Sequence, residues 1–124
     1  MAARAPEELA SLCLERFNAG DLEGLAALYE PDARMVAEPG RVVSGRPLIR
    51  ALYDAFLAGG TRIEIAPRRM LTGTDVALVS NDWHITGTNP DGSPVEARGT
   101  SEEVLRCQPD GTWLYAIDDP FSRS

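Results

Sequence analysis

After Gly59-Gly60 no helical pattern recurs: from Thr61 onward strand-forming stretches alternate with turn signals, and this limits the fold more than any other feature. The signals are Thr72-Gly73-Thr74-Asp75, Asn89-Pro90-Asp91-Gly92 and Pro109-Asp110-Gly111. In the last, Pro presets φ and Gly permits φ > 0, which is reversal chemistry. They cut the second half into strands at residues 61–71, 75–87, 93–107 and 112–118, with Pro120 closing the last. Pro67 marks the first strand as an edge or a bulge. Gly99 marks a bend in the third. Four strands joined by short reversals make an antiparallel meander.

The first half reads differently. Pro6 suits a first helical position, and Glu7 and Glu8 favour the positive end of the macrodipole. Leu9, Leu12, Cys13 and Phe17 form a helical stripe, ended by Asn18-Ala19-Gly20. Asp21 can cap a second helix carrying Leu22, Leu25, Leu28 and Tyr29. Short strands at 33–38 and 41–44 flank the turn Pro39-Gly40. A third helix over about 45–58 carries Ile49, Leu52, Tyr53 and Phe56 at i, i+3, i+4, i+7. Helices segregated from a run of strands predict an α+β fold with three helices on one face of the sheet. A long, bent sheet around a helix makes a cone, and ligand pockets favour such mouths.

The strand at 75–87 contains the only histidine. One face carries Ala77, Val79, Asn81, Trp83 and Ile85, the other Val76, Leu78, Ser80, Asp82 and His84. Alternation alone favours Val79, Trp83 and Ile85 in the core and Ser80, Asp82 and His84 in water, because half-solvated antiparallel strands are common.

The 124 residues suit one domain spanning 1–124, and 44% hydrophobic with 25% charged is an ordinary globular composition. A net charge of −7 argues against nucleic acid and against an anionic membrane surface. No apolar run of ~18 residues exists for a membrane helix. The N-terminus lacks the apolar stretch of a secretory signal. Cys13 and Cys107 have neither a disulfide framework nor metal-ligand spacing, so reduced thiols in a cytoplasm are expected. No phosphate or dinucleotide fingerprint is present. No cofactor and no metal are expected, and the expected partner is a small molecule.

Several segments together resemble one family. Residues 17–29, from Phe17-Asn18-Ala19-Gly20-Asp21 to Ala27-Leu28-Tyr29, are similar to the first helical corner of the nuclear-transport-factor-2-like superfamily, the ketosteroid-isomerase-like or SnoaL-like group. Pro31-Asp32-Ala33 and Ser44-Gly45-Arg46-Pro47-Leu48-Ile49 resemble its next landmarks. Arg106 to Phe121, with Pro109-Asp110-Gly111 and Asp118-Asp119-Pro120, resembles the last hairpin of its small bacterial members. The resemblance implies a cystatin-like cone: helices on a strongly curved, mainly antiparallel sheet of four long strands and two short ones. It says little of activity, because one such fold hosts isomerases, hydrolases, cyclases, dehydratases and plain binding proteins.

Against the ketosteroid isomerases, the phenol donor falls at Cys13, the general base at about Ala37, and the second carboxyl at Glu103. A thiol is a poor donor, and Glu38 points to the other face. Steroid isomerisation is therefore not expected. The resemblance also implies which side chains face the pocket: Ser80, Asp82 and His84; Ser101, Glu103 and Leu105; Ala116 and Asp118. Tyr29, Met35, Leu52 and Phe56 would form apolar wall. His84, with Asp118 and Glu103 as carboxylate partners, would then move protons in a cofactor-free isomerase, lyase or cyclase, or only hold a ligand. Trp83 and Trp113 would lie on the outer sheet face, through which a homodimer is expected.

Overall fold

The computed structural model describes residues 2–123, in the order α1 (Glu8–Asn18), α2 (Leu22–Ala26), β1 (Tyr29–Glu38), β2 (Arg41–Ser44), α3 (Arg46–Leu57), β3 (Arg62–Thr72), β4 (Val76–Thr88), β5 (Pro94–Cys107) and β6 (Trp113–Arg123). Two elements extend beyond the expectation. Tyr29 opens β1 instead of closing the second helix, because it pairs with Tyr115 of β6. Strand β6 continues past Pro120 to Arg123, which pairs with Thr100.

The strands form one sheet in the order β2-β1-β6-β5-β4-β3. All neighbours are antiparallel except β1 and β6. Leu9, Phe17, Leu25 and Ile49 from the helices are buried against Leu105 and Tyr29 from the inner sheet face. This is an α+β, cystatin-like cone. Asn18, at the end of α1, fastens the edge strand β3: its amide donates to Ile63 O at 3.2 Å and its carbonyl accepts from Ile63 N at 2.8 Å.

Register decides which side chains enter the cone. Strands β4 and β5 meet with Thr88 opposite Pro94, Asn81 opposite Ser101 and Val79 opposite Glu103. Residues directly opposite share a face. With Ser101, Glu103 and Leu105 buried, the inner face of β4 must be Ala77, Val79, Asn81, Trp83 and Ile85. The expectation that Ser80, Asp82 and His84 face the pocket is corrected: they lie on the outer face.

The alternation on β6 is interrupted. Leu105 faces Tyr115 and Val104 faces Ile117, so Ala116 is an extra residue in the ladder. A bulge of this kind resets which way later side chains point. Trp113, Tyr115 and Asp118 are consequently all buried, while Ile117 is exposed. The outward placement of both tryptophans is therefore also corrected. Trp113 is in the core, and Trp83 lies on the inner face of β4. Gly99, opposite Trp83, makes room for the indole: a Cβ there would sit 2.7 Å from Trp83 Cζ2.

Candidate functional site

A cavity of about 310 Å³ lies between the inner sheet face and helices α1 and α3. Its walls are largely apolar, from Phe17, Phe56, Ile63, Trp83, Ile85 and Phe121 among others. Buried polar side chains also line it: Asn81, Ser101, Glu103 and Asp118, each no more than 6% exposed. Among the described residues no arginine or histidine lines it.

Of the residues expected at the pocket, Met35, Phe56, Ser101, Glu103 and Asp118 line this cavity. Tyr29 stands behind the wall, fully buried, with its hydroxyl on Asp118. Leu52 packs on the core beside the cavity, and Ala116 is buried at the β6 bulge; neither lines the wall. His84 pairs with Glu96 at 2.9 Å on the outer face. Asp82 there accepts from Thr100 Oγ1 at 2.9 Å and faces Arg68 at 3.4 Å. Ser80 donates to Ser101 O at 3.0 Å. Arg106 binds Glu30 at 2.9 Å and does not line the cavity.

Sequence reasoning passed over Asn81, Trp83 and Tyr53 as site residues. Asn81 donates to Glu103 Oε1 at 3.0 Å. Trp83 forms wall and donates to Pro120 O at 2.7 Å. Tyr53 belongs to the helical stripe of α3, and a phenol in an apolar stripe is itself a signal, since a buried hydroxyl needs a partner.

Glu103 and Asp118 are direct cross-strand partners. Burial and the Asp118 charge push the Glu103 carboxyl up to about 8, against the pull of hydrogen bonds from Ser101 and Asn81. Burial also raises Asp118, to about 6, opposed by the bond from Tyr29. Two like groups in one dry site titrate as a pair, and near neutrality they hold one proton between them. Burial drives the Cys13 thiol to about 12, so it stays protonated and is no nucleophile. Among the described residues no cluster of three or more His, Cys, Asp or Glu side chains is placed to hold a metal ion. An apolar cavity with one ionised and one protonated carboxyl is suited to accept a proton at one point of a ligand and donate one at another.

This combination of cone and cavity has relatives. The SnoaL-like domain family matches residues 12–116. The chain belongs to the SnoaL-like domain family. No curated protein is a significant match to it. Solved structures of other proteins share its fold. It is similar to a protein of unknown function from Mycobacterium tuberculosis, with TM-score 0.74 and 25% identity, covering 91% of this chain and 66% of that one, just under two thirds of its length. It is similar to a ketosteroid isomerase-like protein from Erwinia carotovora atroseptica, with TM-score 0.76 and 23% identity over 94% of both chains. A third is an NTF2-like protein with a cystatin-like fold from Novosphingobium aromaticivorans, with TM-score 0.75 and 20% identity, covering 94% of this chain and 80% of that one. No helix among the described residues is long and apolar enough to cross a membrane.

Proposed function

We propose that this SnoaL-like domain, spanning 1–124, binds a largely apolar small molecule and performs cofactor-independent acid–base chemistry on it, as an isomerase, lyase or cyclase. Asp118 takes a proton from the substrate and Glu103 supplies one, or a hydrogen bond, to its oxygen. The observation that carries this reading is the buried Glu103–Asp118 cross-strand pair lining an apolar cavity. His84 is left out of the proposal, because it faces away from the cavity.

The reading needs Asp118 ionised and Glu103 protonated, a state that exists between the lower and the upper midpoint of the pair, both of which burial raises. Turnover should therefore be bell-shaped, rising through the lower value and falling through the upper. The test is exchange of α-protons in a panel of apolar cyclic ketones in deuterated water, followed by NMR. Asp118→Asn, which keeps the side-chain shape, should lower the exchange rate by roughly 10²- to 10⁴-fold. Ketones that bind the wild type but exchange no faster than in buffer would defeat the catalytic assignment.

A second reading is a non-catalytic ligand-binding protein. It is favoured by Cys13 and Ala37, which stand where the ketosteroid isomerases carry a donor and a base. In both readings we propose a homodimer through the outer sheet face, where Val76 and Leu78 are each 43% exposed and Ile117 is 49% exposed. Gel filtration at two concentrations, with Leu78→Asp as the disrupting variant, tests it. A cytoplasmic setting accords with the unpaired thiols of Cys13 and Cys107.

A further inference from the structure

Along the cavity wall, side chains from four elements form a line that only Tyr29 continues behind the lining. Cys13 Sγ of α1 lies 3.8 Å from Tyr53 Oη of α3. Tyr53 Oη lies 2.5 Å from Tyr29 Oη of β1, which lies 2.5 Å from Asp118 Oδ2 of β6. Each thiol or phenol has one hydrogen to give, and an ionised carboxylate only accepts. Tyr29 donates to Asp118. Its oxygen must therefore accept from Tyr53, whose own oxygen is left to accept from Cys13. All three hydrogens point toward Asp118. Glu103, directly across the ladder, has no such line of phenols; it is bonded by the Asn81 amide and by Ser101.

We propose that Tyr29, backed by Tyr53 and Cys13, is a positioning residue that fixes Asp118 as the proton acceptor of the pair and leaves Glu103 as the proton carrier. Its catalytic meaning rests on the acid–base function proposed above, but the sorting of the proton belongs to the resting protein and needs no substrate to be observed. While Asp118 is ionised, no hydrogen of the line is available to the cavity. Once Asp118 is protonated it can donate to Tyr29 Oη. Tyr29 then donates to Tyr53, and the Tyr53 hydrogen is released toward Cys13 or the ligand, since Tyr53 lines the cavity.

Among the described residues, the titratable groups around Asp118 are Glu103 from β5, Tyr29 from β1, Tyr53 from α3, Cys13 from α1, and Tyr115 and Asp119 from its own strand. Of these, Tyr29 alone bonds its carboxyl. Burial holds the phenols well above their ordinary value, so the line stays neutral and acts by hydrogen bonding. Hydrogen bonds to a charged form favour it, and their removal raises a carboxyl's midpoint.

The test is carboxyl ¹³C NMR of protein labelled at Asp and Glu, titrated from about pH 4 to about pH 9, for wild type, Tyr29→Phe and Tyr53→Phe. Asp118 should titrate below Glu103 in the wild type. Tyr29→Phe should raise the Asp118 midpoint by about one pH unit or more, and Tyr53→Phe by less, because it removes the second bond of the line. Glu103 titrating first in the wild type, or an unmoved Asp118 midpoint in folded Tyr29→Phe, overturns the proposal. Should Tyr29→Phe fail to fold, Tyr53→Phe decides: a raised midpoint supports the line and an unmoved one overturns it. The expected midpoints together with absent ketone exchange would leave the line standing and defeat only the acid–base function.

Discussion

Glu96 and Glu103 are the same residue type on the same strand, on opposite faces of one sheet. Glu96 is exposed on the outer face, and a hydrogen bond from His84 together with the nearby Arg98 charge holds its carboxyl below the usual range. Glu103 is 6% exposed on the inner face, beside another carboxyl, and its protonated form is favoured. The difference lies in what each face supplies. The outer face offers water and cations, and the inner face offers apolar wall and a like charge. Only the inner environment moves a carboxyl into the range where it can exchange protons near neutrality.

The contrast can be broken from the inside first. Glu103 takes up its proton in the folded state at about 8, against an ordinary value of 4.5. Between those values the native state binds more protons than the unfolded one, so stability falls as pH rises through that window. Glu103→Gln keeps the acceptor for Asn81 and removes the titration. Urea unfolding at several pH values should show a flatter profile, with the variant more stable than wild type above about pH 8 by on the order of a few kcal/mol. An unchanged slope would mean that Glu103 is ionised without penalty.

Disturbing the inner wall without touching a charge is expected to have a smaller effect. A side chain at Gly99 collides with the Trp83 indole, which is itself tied to Pro120 O. Gly99→Val should cost about 1–3 kcal/mol, as overpacking does, and should shift tryptophan fluorescence. The same melting temperature and emission as wild type would show that the indole does not occupy this place.

The outer face should respond least. Exposed ion pairs contribute little, and His84 touches nothing in the cavity. His84→Ala should leave the thermal melt, ligand binding and the carboxyl titrations as in the wild type. Loss of ligand binding in a folded His84→Ala protein would return the histidine to the site.

The fold was legible in the sequence because its signals are local. Turn residues, helical stripes and caps each act within a few positions, and their order alone implies helices on a meander. The site was less legible, because alternation divides a strand into two faces without saying which is inner. Placing Glu103 inside while placing Ser80, Asp82 and His84 inside contradicts the register that the Asn89–Ser93 connection imposes, since Thr88 opposite Pro94 puts Asn81 beside Ser101. On β6 the extra residue Ala116 has no compositional mark, so Trp113 and Asp118 appear to belong to opposite faces when both are buried. Tyr29 was expected near the pocket, but its place in a strand was hidden for another reason: it continues the helical spacing of Leu22, Leu25 and Leu28, yet the long-range partner Tyr115 draws it into β1.

Strand β6 follows the other five in the chain but lies in the middle of the sheet, between β1 and β5. Until it is synthesised and inserted, β1–β2 and β3–β4–β5 are two separate pieces, each with an unpaired edge and an uncovered apolar face. Closure depends on contacts far apart in sequence, which are slow to form, and open edges of this kind invite pairing with other chains. The strand that completes the sheet also carries Asp118. In a nascent chain the proposed proton acceptor therefore arrives together with the segment that ends the exposure to aggregation, and a chain lacking β6 would be deprived of both.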